Sequence, residues 1–128
     1  MAIDIKYQPD KEYVVITVKG KSSVEEFKTI MNTITQSEQY PPDINTLWDV
    51  RERDFSSISL ESMKNLIQIS SNYPERGNAK VAFIVKGDLA YGMMRMYETF
   101  SSFEGLKLRQ HLRVFRSFSE GEKWLLTK

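Results

Sequence analysis

The sequence of 128 residues contains no cysteine and a single histidine, His111. These shortages exclude disulfide bonds, thiol catalysis and a zinc site built from cysteines or several histidines of one chain. No stretch approaches the roughly 20 consecutive apolar residues that span a membrane. The N-terminal residues lack the basic-then-apolar order of a secretion signal. We therefore expect a cytoplasmic protein with no membrane span, no metal and no cofactor.

An excess of charge of one sign is also missing, because 18 basic residues face 17 acidic ones and the net charge is +1. This balance gives no general attraction to nucleic acid or to an anionic membrane. The basic residues between positions 107 and 116 are interpreted as charge protection of an edge strand rather than a nucleic-acid site. The length is typical of one domain with its own core, which we expect to span residues 1–128.

The hydrophobic pattern predicts strands and helices in the order ββαβαβαβα. Residues 46–50, a short apolar run with one acid, predict a buried central strand around which the other segments are organised. A hairpin followed by βα units predicts an α/β fold with a mixed sheet of four to five strands, the later ones parallel. The other strands are expected at residues 3–7, 13–18, 80–86 and 108–115, the last at an edge of the sheet.

Helix starts are marked by capping residues. Ser22 with Glu25, or Ser23 with Glu26, is a capping box for the first helix. The expected caps of the second, third and fourth helices are Ser59, Asp88 and Ser117.

The third helix is rich in methionine and aromatic residues. Its expected core face comprises Leu89, Met93, Met96, Tyr97 and Phe100 at helical spacing. Tyr91 and Met94 are then left on another side, and Phe103 lies just beyond the helix. Methionine adapts to varied partners, so these three residues are candidates for a dimer surface or for the mouth of an apolar pocket.

Four segments carry a resemblance that covers essentially the whole chain: YVVITVKG, LWDVRERDF, KVAFIVKGD and VFRSFSEGEKWL. Their joint order resembles the STAS fold of sulfate transporters and anti-sigma-factor antagonists, and more specifically the SpoIIAA-like family of small bacterial stand-alone proteins. The resemblance implies a small cytoplasmic domain that acts by binding.

In the better-known antagonists of this fold, a partner kinase phosphorylates a serine that follows an aspartate where the helix after the central strand begins. Aligned on Asp49, those two positions correspond to Ser57 and Ile58, so the Asp-Ser-Ser-Gly signature is absent and the phosphosite does not carry over. Ser57 and Ser59 are possible acceptors, since a phosphate is stabilised at a helix N-terminus. The preferred interpretation is that Ser59 caps the helix.

Charged residues cluster where the predicted parallel strands end. Ligands of open parallel sheets bind at this edge, so the cluster is a candidate rim for a phosphate, a carboxylate or a partner. We favour solvated loop charges that balance one another, because no glycine-rich phosphate loop is present. His111 is interpreted as a surface residue. For Asp49, the acid of the central strand, an ion pair is preferred over a catalytic role. The rim residues are Asp49, Arg51, Arg53, Lys86, Asp88 and Arg116.

Three functional hypotheses follow. The leading one is a non-enzymatic, STAS-like binding and regulatory module with an unknown protein partner or small ligand, and with a possible homodimer through the third helix. The second is a carrier of a small apolar or amphipathic molecule between the sheet and the second and third helices, which requires a cavity of several hundred Å³. The third is an enzyme that acts on an anionic substrate with Asp49 and Arg51.

Overall fold

The computed structural model describes residues 2–21, 23–56, 58–101 and 111–127. The order ββαβαβαβα is confirmed, and a 3₁₀ turn, Pro74–Arg76, precedes the fourth strand. The strands are β1 (Ala2–Gln8), β2 (Tyr13–Lys19), β3 (Asn45–Asp49), β4 (Lys80–Ile84) and β5 (His111–Phe115). The helices are α1 (Val24–Gln36), α2 (Leu60–Ser70), α3 (Asp88–Ser101) and α4 (Phe118–Leu126).

The five strands form one sheet in the order β1-β2-β3-β4-β5. β1 is antiparallel to β2, and every later neighbour pair is parallel. The apolar run of β3 lies at the centre, and the more charged β5 lies at an edge, as predicted. Because strand order follows chain order, the sheet lacks the reversal point at which doubly wound folds bind their ligands.

The two faces of the sheet carry separate hydrophobic clusters, since successive strand residues point to opposite sides. One cluster joins α1, α2 and α3 to alternate strand residues such as Ile16, Trp48 and Phe83. The other joins α4 to Leu47, Ala82 and Ile84. Successive parallel crossovers of one hand place their helices on the same face, which leaves the C-terminal helix to cover the other.

Capping geometry fixes where the helices begin. Ser23 and Glu26 form a reciprocal capping box at α1, so the second of the two predicted boxes is the one used; Ser22 lies outside the described residues. Ser117 caps α4 by accepting from the backbone N–H of Glu120. The prediction for Asp88 is wrong, because this residue is the first residue inside α3 and follows Gly87 at φ 88°.

The buried face of α3 is shifted by one residue along the helix from the predicted face. The buried residues are Ala90, Met94, Tyr97 and Ser101, whereas Leu89 and Met96 are 62% and 43% exposed. Both sets follow the same helical spacing, and the sequence favoured the set with larger side chains. The structure buries the set that includes Ala90 and Ser101, because small residues allow the helix to approach its neighbours closely. The placement of Met94 outside the core was therefore wrong.

Within the described residues, no helix is both long enough and apolar enough to cross a membrane.

Candidate functional site

An apolar cavity of about 160 Å³ lies between the sheet and the helices α1, α2 and α3. The helices contribute Phe27, Met63 and Met93, while Trp48 and Phe83 project from β3 and β4. Hydrophobic and aromatic side chains with a few polar groups at one end are typical of small-molecule sites. The face of the sheet covered by α1, α2 and α3 therefore offers a site for a small ligand.

A row of aromatic rings forms the floor of this cavity. The ring centroids of Phe27 and Trp48 are 5.7 Å apart, those of Trp48 and Phe83 5.7 Å, and those of Phe83 and Tyr97 5.8 Å. Such spacing is favourable for aromatic pairs. Because each ring packs against the next, the positions of the rings and the shape of the floor are fixed.

A buried arginine supports the central ring of this floor. The Arg76 side chain is only 1% exposed, and it donates to the carbonyls of Ile44 and Pro42 and to Thr46 Oγ1. The same Thr46 oxygen accepts a hydrogen bond from Trp48 Nε1 at 3.1 Å. Burial lowers the pKa of the Arg76 guanidinium to about 10, so it stays a cation at neutral pH and orients Trp48 through the threonine.

The mouth of the cavity is polar. It is lined by Arg53 and Asp54 from the loop after β3 and by Ser23 and Ser62 from the starts of α1 and α2. The guanidinium carbon of Arg53 lies 5.1 Å from the centroid of the Phe55 ring. Burial lowers the pKa of Arg53, and the neighbouring Asp54 partly offsets this effect. The mouth thus places a partly desolvated cation beside an apolar interior.

The predicted methionine surface is divided between several environments. Met94 is buried and lines the cavity, which excludes an exposed dimer contact for this side chain. Tyr91 is half-buried, and its ring centroid lies 4.2 Å from the guanidinium carbon of Arg116. Phe103 lies outside the described residues.

The predicted charged rim is also divided. An open polar depression of about 600 Å³ lies where β2, β3 and β4 end, and Asp49, Arg51, Lys86 and Arg116 line it. Arg53 does not join them, because it lines the apolar cavity instead. The expectation of one rim was therefore wrong for Arg53.

Ion pairs engage some of the charges of the depression. Arg51 donates to Asp49 through Nε and Nη2, both at 2.8 Å, and Arg116 Nη1 lies 2.9 Å from Asp88 Oδ1. The hydrogen bonds from Arg51 lower the pKa of Asp49, against a smaller opposing effect of burial. This carboxylate is consequently ionised and engaged at neutral pH, as the ion-pair interpretation predicted.

His111 is exposed at the start of β5, in agreement with its prediction as a surface histidine. Among the residues that the structure describes, no three His, Cys, Asp or Glu side chains come together in a group that could hold a metal ion.

Among solved structures, the crystal structure of an uncharacterized DUF3478-family protein from Shewanella loihica PV-4, described as having a SpoIIAA-like fold, is similar to this chain. The two are 20% identical, with a TM-score of 0.63 over 97% of this chain and 92% of that chain. The fold of this chain is SpoIIAA-like. At this identity the similarity establishes the fold alone. No protein-family model matches the chain, and no curated protein matches it.

In this SpoIIAA-like fold, the start of α2 is the position at which the resemblance placed a phosphorylated serine. Ser59 Oγ accepts from the backbone N–H of Ser62, and Ser62 Oγ accepts from the backbone N–H of Ser59. The capping interpretation of Ser59 is confirmed. Ser57 lies outside the described residues, and phosphorylation of either serine stays a prediction.

Sequence reasoning missed two residues of the site. Arg76 lies in a Pro-Glu-Arg-Gly segment whose composition is typical of a turn, and no pattern distinguishes a buried arginine there from a solvated one. Phe55, which lies at the mouth, follows a charged loop and belongs to no periodic segment. The sequence pattern that could have found Phe55 is a lone aromatic residue in a polar loop, because such a residue often covers a core or a site.

Proposed function

We propose that this SpoIIAA-like domain is a non-enzymatic binding and regulatory module whose ligand is a small apolar or amphipathic molecule. The observation that carries the proposal is the cavity of about 160 Å³ between the sheet and α1, α2 and α3. Its aromatic floor and methionine walls present mostly apolar surface, and its polar atoms gather at the mouth. This arrangement suits a ligand that enters with its apolar part first.

The cavity also limits the size of the ligand. It is smaller than the several hundred Å³ expected of a carrier, and it is close to the cavity of about 150 Å³ that binds benzene in an engineered protein. The apolar part of the ligand therefore corresponds to about one benzene ring. Met63, Met93 and Met94 line the cavity, and because methionine side chains adapt in shape, a short substituent is accommodated as well.

The charged depression supports an enzyme less well. The carboxylate that such an enzyme needs, that of Asp49, is held by Arg51 and has a lowered pKa. A general base acts best with a pKa near the working pH, and this carboxylate is shifted in the opposite direction.

The proposal is tested with the methionine methyl groups as reporters. Carbon-13 labelled methionine methyls are recorded by NMR during a titration with 2-phenylethanol, a neutral aromatic of suitable size. We expect the signals of Met63, Met93 and Met94 to shift, because these side chains line the cavity. The signal of Met96, which is 43% exposed on α3, is the internal control and stays in place.

A cavity-filling variant completes the test. In Met93→Trp the larger side chain occupies the space that the probe needs, so the shifts of Met63 and Met94 on titration should vanish while the spectrum remains that of a folded protein. If the wild-type signals do not move at millimolar 2-phenylethanol, the proposal is wrong.

A second candidate is self-association through the exposed face of α3. The observation that favours it is the exposure of Leu89 and Met96, seven residues and thus two helical turns apart. Met96→Glu should then reduce the dimer fraction seen by analytical ultracentrifugation, and Arg95→Ala on the same helix is the control. A wild-type protein that stays monomeric at about 100 µM, where a dimer with a Kd of about 1 µM would be mostly formed, would exclude this candidate.

A further inference from the structure

We propose that the ligand of the cavity is a small amphipathic carboxylate, with its apolar part against the aromatic floor and its carboxylate bound by the Arg53 side chain. This inference rests on the proposed function, because it assigns a chemical class to the ligand of the same cavity.

The backbone around Arg53 is held in place before any ligand binds. Gly20 donates to the carbonyl of Glu52 and accepts from the N–H of Asp54, each at 2.9 Å. The N–H of Arg53 itself donates to the carbonyl of Val50 at 3.2 Å. The loop is therefore fastened to the end of β2 on both sides of Arg53. A site whose backbone is already ordered loses less entropy when a ligand binds.

The guanidinium of Arg53 is partly buried and has no ion pair within 4 Å among the described residues. An arginine side chain carries five N–H donors; that of Arg53 lies against the ring of Phe55, and Asp54 is the neighbouring charge that acts on it. Arg51 and Arg116, in contrast, each have a carboxylate within 2.9 Å. Withdrawing a cation from water without an acceptor is unfavourable, and a ligand carboxylate would supply two oxygens in the paired geometry that arginine favours.

The other charges at the mouth leave this position open to an anion. Asp54 Oδ1 accepts from the N–H of Ser56 at 2.8 Å and from its hydroxyl at 2.6 Å. These hydrogen bonds, with smaller contributions from Lys21 and Arg53, lower the pKa of Asp54. The acid is thus engaged within its own loop by Ser56, and Arg53 is the one cation among the described residues that line the cavity.

The two carboxylates nearest the start of α1 do not oppose this assignment. Glu26 Oε1 accepts from the N–H of Ser23 in the capping box, and Glu25 is exposed and lies 3.7 Å from Lys28 Nζ. Both acids are therefore engaged with their own helix. The side chain of Arg53 remains the cation that a ligand at the mouth would meet first.

The experiment compares two probes with the same carbon skeleton, phenylacetate and 2-phenylethanol, by isothermal titration calorimetry at pH 7. Both carry one ring for the cavity, and only phenylacetate is charged. We expect phenylacetate to bind at least about tenfold more tightly, since a hydrogen bond to a charged group contributes about 1.5 kcal/mol or more. Arg53→Gln should remove this difference by weakening phenylacetate alone, and Arg53→Lys should restore part of it.

Arg51→Gln is the matched control, because Arg51 lies two residues away and lines the charged depression instead of the apolar cavity; it should leave both affinities within about twofold. Equal binding of the two probes to the wild type, or an effect of Arg53→Gln on both, would overturn the carboxylate assignment and leave the apolar site intact. Binding of neither probe at millimolar concentration would overturn the proposed function and this inference together.

Discussion

Replacing Arg76 by alanine removes the one buried cation of the described core, and the structure allows its cost to be worked out. The carbonyl of Ile44, a residue that is 7% exposed, loses its donor. A buried acceptor deprived of its partner costs about 1–3 kcal/mol. Thr46 Oγ1 keeps the hydrogen bond from Trp48, and Pro42 is exposed, so its carbonyl regains water.

The lost packing of the arginine stem adds to this cost. Two methylene groups, Cγ and Cδ, leave the core at about 0.8 kcal/mol each, because alanine keeps Cβ. Removal of a desolvated charge returns part of the total. The free energy of unfolding should therefore fall by about 3 kcal/mol, a large share of the 5–15 kcal/mol typical of a domain.

Urea unfolding followed by tryptophan fluorescence measures this change. With a slope of about 1–3 kcal/mol per molar urea, the midpoint should fall by about 1–3 M at unchanged slope. Lys28→Ala is the control: that side chain is 46% exposed and lies 3.7 Å from the exposed Glu25, so a change within about 0.5 kcal/mol is expected. A loss below 1 kcal/mol for Arg76→Ala would show that the hydrogen bonds of the guanidinium barely outweigh its desolvation.

Three further predictions concern single residues. Gly92→Ala should raise the free energy of unfolding by about 0.5–1 kcal/mol, because a methyl group there meets nothing within 4 Å. Gly121→Ala should instead lower it by about 1 kcal/mol, because the new methyl overlaps Ile84 Cδ1. Equal effects of the two substitutions in urea unfolding would contradict the close packing of α4. Burial raises the pKa of Tyr97 from 10.0 to about 12, so the native state holds its proton where the unfolded chain loses it, and stability falls as the pH rises from 10 to 12. Tyr97→Phe should therefore remove about 1.4 kcal/mol of the stability loss between pH 8 and pH 11, and an unchanged loss would place the hydroxyl in water. Ser59→Ala should cost about 1 kcal/mol of stability and Ser59→Asp should cost little, because aspartate also caps helices; a neutral Ser59→Ala would argue against the observed capping box.

The strand predictions succeeded where local pattern and burial agree. Residues 46–50 are apolar on both faces, and only a central strand covered by helices on both sides buries such a run. The position of the charged β5 at an edge was also predictable, because edge strands tolerate charged residues. The caps at Ser23 and Ser59 were predictable for a similar reason, because their hydrogen bonds span three residues and need no tertiary contact.

Apart from the start of α3, the corrections concern the direction in which a side chain points. In α3 two stripes of identical spacing lie one residue apart, and spacing alone cannot say which one meets the sheet. After β3, Arg51 and Arg53 are two residues apart in one loop, yet they line two different sites. The loop is turned by its hydrogen bonds to Gly20, a residue more than thirty positions earlier in the chain.

The sequence by itself determined the order of the elements, the central strand and most helix starts, because periodicity and capping act over a few residues. It also excluded cysteine chemistry by composition. The cavity, its aromatic floor and the separation of the charged residues were decided only by tertiary structure. Each depends on side chains from segments far apart in the sequence, such as Phe27, Trp48 and Tyr97, and no local pattern encodes which of them meet.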